Sequence, residues 1–216
     1  INMDNIQFQN VVPHVFQSRD NSDSEIWGKD VTFQKGHLYL LESASGRGKS
    51  TFCSYLLGYR NDYSGQVLFD GHDTKVFRSS QWIDVRKSHV SLLFQELRLF
   101  PELTAWENVE IKNRLTSHTA AETIRRWFDM LGIGDKKDAL IGEMSYGQQQ
   151  RVALMRALVQ PYDFIVLDEP ISHLDDQNAA IMGEIVMEEA RRQGAGVIMT
   201  SIGKHIPLNY EKTVRL

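Results

Sequence analysis

The chain has 216 residues, of which 42% are hydrophobic and 24% charged, and its formal net charge is −4. This length supports the core of one domain, and a weakly acidic chain without a Lys/Arg run argues against a nucleic-acid partner. The single cysteine, Cys53, excludes an internal disulfide, and no apolar run reaches the roughly 18 residues of a membrane span. We therefore expect one domain of a soluble, cytoplasmic protein, with Cys53 as a small buried apolar residue.

The first 41 residues alternate short apolar stretches with polar turns. This period-two pattern predicts strands at residues 6–8, 11–12, 15–16, 31–33 and 38–41, with a polar loop over 19–25. Phe16 lies upstream of the glycine-rich segment discussed next. Two interpretations of Phe16 are open: a ring that stacks on an adenine base, and a half-buried strand aromatic.

A glycine-rich segment follows the strand at 38–41 and precedes a helical pattern over 51–57. Gly46 and Gly48 allow close approach of the backbone to a phosphate, Lys49 can reach the β- and γ-phosphates, and the Ser50 hydroxyl can hold Mg²⁺. Ser43 stands where the pattern G-x-x-x-x-G-K-[ST] has its first glycine, so an ordinary flexible turn is the alternative. The predicted phosphate loop comprises Ser43, Ala44, Ser45, Gly46, Arg47, Gly48, Lys49, Ser50 and Thr51.

The middle of the chain holds a hairpin turn at Asp70-Gly71 and an apolar strand over 90–95 that ends on Gln95. Functional groups gather at the carboxyl ends of strands in open α/β sheets, so Gln95 is placed to contact a ligand. An ordinary strand-end glutamine is the alternative. Four apolar residues follow, and they either pack on the chain itself or form a docking patch for a partner: Leu97, Leu99, Phe100 and Pro101.

Residues 104–159 read as a helical insertion. Thr104 and Thr119 each have a glutamate three residues on, which predicts two capping boxes, and Ser145 is a good N-cap for a third helix. A helix start that carries Ser145, Gly147 and Gln148 favours an anion, although a capped helix without a ligand is the preferred interpretation of this segment by itself.

The apolar run 164–167 predicts a buried parallel strand that ends in Asp168-Glu169. Adjacent carboxylates at the end of a buried strand are costly unless they are used. One can bind Mg²⁺ through water, and the other can orient or deprotonate an attacking water. Purely structural carboxylates are the alternative. A helix to about residue 192, a buried strand at 196–200 and a short edge strand at 213–216 complete the chain.

In combination, these motifs resemble the nucleotide-binding subunit of ATP-binding-cassette (ABC) transporters over nearly the whole chain. The signature of that family, usually Leu-Ser-Gly-Gly-Gln, corresponds to residues 144–148, its glutamine loop to Gln95, and its catalytic carboxylate to Glu169. The Walker B strand corresponds to residues 164–168 and the D-loop to 172–175. The chain is similar in length to short bacterial subunits for lipoprotein release, macrolide export and cell division.

The resemblance implies an α/β fold, a P-loop NTPase (RecA-like) core with a mostly parallel sheet, an N-terminal antiparallel β subdomain and an inserted α-helical subdomain. The single ABC ATPase domain 1–216 would divide into a nucleotide-binding core (1–95 and 160–216) and a helical signature subdomain (96–159). ATP and Mg²⁺ would be bound by the phosphate loop and Phe16, with the metal held by Ser50, Gln95 and Asp168. Lys49, Gln95 and Glu169 would be catalytic.

The resemblance also implies partners. Two cassettes would dimerise head to tail around ATP, so that Ser145, Gly147 and Gln148 act in trans, and the dimer would drive an integral membrane transporter subunit from the inner face of the bacterial plasma membrane. The homo- or heterodimer question, the substrate and the direction of transport stay open.

Three departures weaken a simple transfer of the family's roles: Ser43 replaces a glycine, Tyr146 places a ring in the signature, and Ser201 follows Thr200 where the family has its switch histidine. Tyr146 and Ser201 favour an alternative, a slow or non-hydrolysing regulatory partner in a heterodimeric pair, whereas Glu169 and Gln95 favour a hydrolysing subunit. His205 can substitute only if its loop folds back. A nucleic-acid-maintenance member of the superfamily is a third interpretation, but the chain lacks both a coiled-coil insertion and a second cassette.

Overall fold

Two β-sheets and six α-helices form the structure, a computed structural model that describes residues 3–216. The strands are β1 (Asn5–Pro13), β2 (Asp30–Gln34), β3 (Leu38–Glu42), β4 (Tyr63–Phe69), β5 (His72–Asp73), β6 (Val90–Leu93), β7 (Phe164–Asp168), β8 (Gly196–Ser201) and β9 (Lys212–Arg215). The helices are α1 (Lys49–Leu56), α2 (Ser79–Asp84), α3 (Ala105–Asn113), α4 (Ala121–Met130), α5 (Tyr146–Leu158) and α6 (Asp176–Gln193).

The smaller sheet is antiparallel, with strand order β2-β1-β4-β5. The predicted turn at Asp70-Gly71 joins β4 to β5, and Phe69 pairs with His72 across it. Residues 15–16 do not continue β1 as a strand, which corrects the prediction. Pro13 ends β1 because it has no N–H for the ladder, and His14–Phe16 form a 3₁₀ turn instead.

The larger sheet is parallel throughout, with strand order β6-β7-β8-β3-β9. All five residues of β7 are buried, as its continuous apolar run predicts. Ile165 and Leu167 face the core that contains the α5 and α6 side chains, whereas Phe164 and Val166 face the core shared with α1 and the antiparallel sheet. The predicted β9 is confirmed as an edge strand. Because a hydrophobic core covers each face of the parallel sheet, its central strands lack a polar face.

Helices α3 to α5 lie between β6 and β7 in sequence, where the helical insertion was expected. The first capping box is confirmed, because Thr104 Oγ1 accepts from Glu107 N at 3.1 Å and Thr104 N donates to Glu107 Oε2 at 2.8 Å. The second is wrong. Ala120 is the N-cap of α4, and the buried Thr119 hydroxyl donates to Val159 O at 3.2 Å. A tertiary hydrogen bond therefore replaces the local cap.

The segment after β6 differs from its sequence interpretation in one respect. The strand ends at Leu93, and Gln95 lies in the turn that follows, where Leu97 N donates to Phe94 O at 3.0 Å. Leu97 is buried in the core and Leu99 packs against it, so part of the apolar run 97–101 packs on the chain itself. Phe100 remains 48% exposed.

The predicted burial of Cys53 and the predicted fold class are both confirmed. Cys53 is buried, and burial raises the pKa of its thiol well above its usual range. Among the described helices, none has the length and apolar character required to cross a membrane. The observed parallel sheet, antiparallel sheet and helices confirm the predicted α/β fold class.

Candidate nucleotide-binding site

A cleft of 290 Å³ gathers residues from the phosphate loop, from Gln95 and from the segments after β7 and β8. These segments are distant in sequence, but the parallel sheet brings their strand ends to the same edge. Its lining residues are Phe16, Ser45, Gly46, Gly48, Lys49, Ser50, Thr51, Gln95, Glu169 and Ile202. The structure thus brings together most of the residues predicted for ATP.

The phosphate loop has the backbone geometry of an anion cradle. Helix α1 begins at Lys49, and Gly48 is its N-cap with φ of 104°, while Gly46 has φ of 76°. A Cβ on Gly48 would lie 2.6 Å from Phe16 Cε2, so this position requires glycine for both its dihedral angle and its space. Ser43 has no positive φ, and a glycine is therefore not needed there. The N-terminus of α1 adds a partial positive charge.

The loop is held from outside by residues that the sequence interpretation did not single out. The buried Trp27 donates from Nε1 to Arg47 O at 3.0 Å, and Arg19 donates from its guanidinium to Gly46 O at 3.4 Å. No local pattern marks Trp27 or Arg19, because both act through contacts with a segment about 20 to 30 residues away.

Phe16 borders the cleft, but its ring is largely covered. The side chain is 7% exposed, the Arg19 guanidinium lies 4.9 Å from the ring centroid, and the Trp27 ring packs at 6.3 Å. Stacking of an adenine on the face that Arg19 covers would require the guanidinium to move. Adenine contact by Phe16 therefore stays a prediction.

The charged residues of the cleft are Lys49 and Glu169. Lys49 Nζ lies 3.1 Å from Glu169 Oε1, yet this buried oxygen accepts no hydrogen bond, so the contact is an ion pair without hydrogen-bond geometry. Glu169 has φ of 49°, a conformation that costs about 1–3 kcal/mol for a residue other than glycine. Its N–H lies 3.3 Å from both the carbonyl and the hydroxyl oxygen of Thr200, which fixes the strained residue.

Asp168 lies beneath Glu169 at the end of β7. It is 5% exposed, and its Oδ1 accepts from Thr200 Oγ1 at 2.5 Å. Burial raises the pKa of Asp168, and the Glu169 charge raises it further, whereas the Thr200 hydrogen bond and Lys49 act in the opposite direction. A cation beside this carboxylate would favour its charged form.

Oxygen donors for a hard cation are present, but few come from carboxylates. Ser50 and Gln95 are exposed and line the cleft, whereas Asp168 is buried at the end of β7 and is not among the residues that line the cleft. Among residues 3–216, no group of three or more His, Cys, Asp or Glu side chains could hold a metal ion. A hydroxyl, an amide and one carboxylate suit Mg²⁺ that shares its remaining positions with phosphate and water.

The signature residues do not line this cleft. Ser145 caps α5, where its Oγ accepts from Gln148 N at 3.3 Å and its N–H donates to Gln148 Oε1 at 2.9 Å. The predicted N-cap is confirmed. Ser145 is exposed at a helix start that is available to a ligand outside the chain's own cleft.

The segment after β8 places an unexpected residue at the cleft. Ser201 is fully buried and donates to Lys204 O at 2.8 Å, whereas Ile202 lines the cleft and is 46% exposed. His205 packs against the Tyr210 ring at 5.5 Å and lines a separate cavity. Ile202 was missed because strand alternation does not extend into the bend that follows β8.

Comparison with known proteins agrees with the geometry. The family model described as ABC transporter matches residues 28–172. The chain is 30% identical over 211 residues to the ABC transporter ATP-binding protein YbbA of Escherichia coli K12, covering 95% of this chain and 92% of that protein. It is 31% identical over 192 residues to the lipoprotein-releasing system ATP-binding protein LolD of Myxococcus xanthus, covering 88% and 86%.

Among solved structures, the bacterial ABC transporter cassette MJ0796 has a similar fold. Its dimeric structure matches with a TM-score of 0.76 at 23% identity, covering 91% of this chain and 87% of that chain. A post-hydrolysis state of the same cassette, bound to ADP and Pi, matches equally well. The likeness confirms the predicted P-loop NTPase fold. With the motifs, the cleft and the family model in agreement, the chain belongs to the ABC transporter family as an ATP-binding cassette.

Proposed function

We propose that the chain binds Mg-ATP in the cleft and hydrolyses it as the motor subunit of a bacterial membrane transporter or membrane-remodelling complex. The observation that carries this proposal is the Lys49–Glu169 ion pair at 3.1 Å, between the phosphate loop and the end of β7. Phosphoryl transfer to water uses a lysine that neutralises phosphate charge and a carboxylate that accepts a proton. Lys49 is that lysine, and Glu169 is that carboxylate, since its Oε1 accepts no hydrogen bond.

The residues take the following roles. The loop N–H groups and the start of α1 bind the phosphates, and Lys49 leaves Glu169 to neutralise the β- and γ-oxygens. Glu169, released from that pair, accepts the proton of the attacking water, while Gln95, which lines the same cleft, orients this water. Ser50, Gln95 and Asp168 would hold Mg²⁺, which would supply further charge stabilisation. Hydrogen bonds with Thr200 hold Asp168 and Glu169 in position.

The signature residues Ser145, Gly147 and Gln148 contact the ATP of a second cassette. Their exposed helix start lies outside the chain's own cleft, and the related cassette MJ0796 has been solved as a dimer. Residues 96–159 then act as the signature subdomain between the nucleotide-binding core segments 1–95 and 160–216. Its exposed Phe100 lies on the surface that meets an integral membrane subunit, which would hold the chain at the inner face of the plasma membrane.

The turnover is slower than that of a cassette with an imidazole at the γ-phosphate. Ile202 brings only an alkyl side chain to the cleft, and Ser201 is turned towards Lys204. Without a side-chain hydrogen-bond donor from Ser201 or Ile202, the transition state loses one source of charge stabilisation.

Steady-state ATP hydrolysis by the full chain with Mg²⁺ tests the proposal. Glu169→Gln should lower turnover by about 10²- to 10⁴-fold, since it removes the base but keeps the size of the side chain. ATP binding, measured by titration calorimetry, should persist in this variant. The matched control is Glu122→Gln on the exposed start of α4, which should leave turnover unchanged.

Equal turnover of Glu169→Gln and the wild type would refute the assigned base. Tight Mg-ATP binding without turnover in the wild type would instead indicate the regulatory, non-hydrolysing partner.

A further inference from the structure

Tyr146 lies in the signature and contacts two other family motifs, the glutamine loop and the D-loop. Its Oη donates to Gln95 O at 3.0 Å, which links the first turn of α5 to the glutamine loop, here residues 94–98, across 51 residues of sequence. Its ring packs edge-on against His173 in the D-loop, with centroids 4.5 Å apart. A tyrosine at this position is one of the departures from the family signature, and a glycine there could make neither contact.

The hydroxyl stays a donor under ordinary conditions. Burial raises the pKa of Tyr146, and the nearby charges of Glu96 and Glu169 raise it further. The phenol is therefore protonated at neutral pH, and the carbonyl of Gln95 can only accept.

The other end of α5 holds the same loop. Arg156 donates to Arg98 O at 2.6 Å and also to Leu97 O. Burial lowers the pKa of Arg156 to about 10, which still leaves it charged at neutral pH. Leu97 and Arg98 both have positive φ, of 60° and 52°, so this loop is strained and depends on outside contacts for its conformation.

We propose that Tyr146 is a positioning residue that couples the glutamine loop to the start of α5, so that nucleotide in the chain's own cleft sets the position of Ser145, Gly147 and Gln148. The loop carries Gln95 into the chain's own cleft, whereas the helix start faces the ATP of the second cassette. The second part of this coupling rests on the proposed function. Through this hydrogen bond, nucleotide binding at one site of a dimer changes the nucleotide affinity of the other site.

Arg156 fixes the far end of the loop, and Tyr146 transmits its movement at the near end. A shift of Gln95 towards bound nucleotide pulls its carbonyl, and with it the tyrosine hydroxyl and the first turn of α5. The contact of the Tyr146 ring with His173 carries the same movement to the D-loop.

Hydrogen exchange on the full chain tests the link in two steps. In the nucleotide-free protein, Tyr146→Phe should speed exchange of the Leu97 and Arg98 amides by about fivefold, the effect of losing one hydrogen bond of about 1 kcal/mol. The control is Tyr63→Phe, which removes a buried hydroxyl bonded to Thr74 Oγ1 at 3.1 Å in the antiparallel sheet. Equal exchange in both variants would overturn the link.

The second step adds Mg-ATP at a protein concentration at which light scattering shows a monomer. Exchange over residues 144–150 should change on nucleotide addition in the wild type and in Tyr63→Phe, and this response should be lost in Tyr146→Phe. A response that persists in Tyr146→Phe would overturn the coupling and leave the proposed function intact. Failure of the wild type to bind ATP would overturn the proposed function and the coupling together, whereas the nucleotide-free result would still establish the link.

Discussion

Two clusters of buried charge lie at opposite ends of the parallel sheet, and they differ in how well their atoms are satisfied. At the amino ends of the strands, Asp163 precedes β7, and it accepts from His89 Nδ1 at 2.6 Å, from Met3 N at 3.0 Å and from Lys35. His89 Nε2 also lies 3.3 Å from Asp84. Donors therefore reach both oxygens of the Asp163 carboxylate, and the cluster ties β1, β6 and β7 together.

At the carboxyl ends, the cluster of Lys49, Asp168 and Glu169 is incomplete. Glu169 Oε1 is buried without a hydrogen-bond donor, and the residue itself has a strained backbone. Unsatisfied buried groups and strained residues persist only where the surrounding fold imposes them, and they concentrate at functional sites. Buried charge alone therefore does not distinguish a catalytic site from a structural one. Among the described residues, Glu169 is distinguished because it combines an unmet hydrogen bond with a positive φ.

The sharpest test of this contrast is the same substitution at both ends of β7. Asp163→Asn should lower the free energy of unfolding by about 3 kcal/mol, because it removes the carboxylate charge that pairs with Lys35 and weakens the hydrogen bonds from Met3 N and His89. ATP turnover by the folded fraction should be unchanged. Urea unfolding at neutral pH measures the stability difference.

Asp168→Asn should have the opposite effect on stability. The pKa of Asp168 is raised above its ordinary value of 3.8 in the folded state, so burial of the carboxylate costs stability that accumulates as the pH rises through that raised pKa. Removing the charge should raise the free energy of unfolding above that pH and weaken Mg-ATP binding. A similar loss of stability in both variants would mean that the two clusters are equivalent.

A smaller effect tests the backbone of the phosphate loop. Gly48→Ala should destabilise the chain by about 1–3 kcal/mol, because its φ is 104° and its Cβ would meet the Phe16 ring at 2.6 Å. ATP affinity should fall with it, since the loop must move to admit the methyl group. Gly71→Ala is the control, because Gly71 also has a positive φ but a Cβ there meets no atom within 4 Å. Equal ATP affinity of the two variants would contradict the packing argument.

The smallest expected effect concerns the segment after β8. Ile202→His should raise ATP turnover by about tenfold, because the imidazole would add a donor where an exposed alkyl side chain now lines the cleft. Ser201→His should lose stability instead, since Ser201 is fully buried and bonded to Lys204 O. Hydrolysis and thermal unfolding of the two variants separate these effects. A faster Ser201→His enzyme would show that Ser201, and not Ile202, faces the γ-phosphate.

The sequence by itself determined the features whose causes are local. The strand, glycine turn and lysine of the phosphate loop, the Ser145 cap and the buried strand that ends in Asp168-Glu169 all follow from interactions within a few residues of one another. Strand alternation and helix caps that span three residues depend on the local order of the residues, so they could be predicted before the fold was known.

Tertiary structure decided the rest. The Thr119 hydroxyl donates to Val159 O, 40 residues away in sequence, instead of capping α4. Trp27 donates to Arg47 O in the phosphate loop, 20 residues away, and Tyr146 donates to Gln95 O, 51 residues away. Ile202 lines the cleft from the bend that follows β8, whereas Ser201, the last residue of β8, is buried and donates to Lys204 O. Each of these contacts depends on how the elements pack against one another, and a local pattern contains no information on that packing.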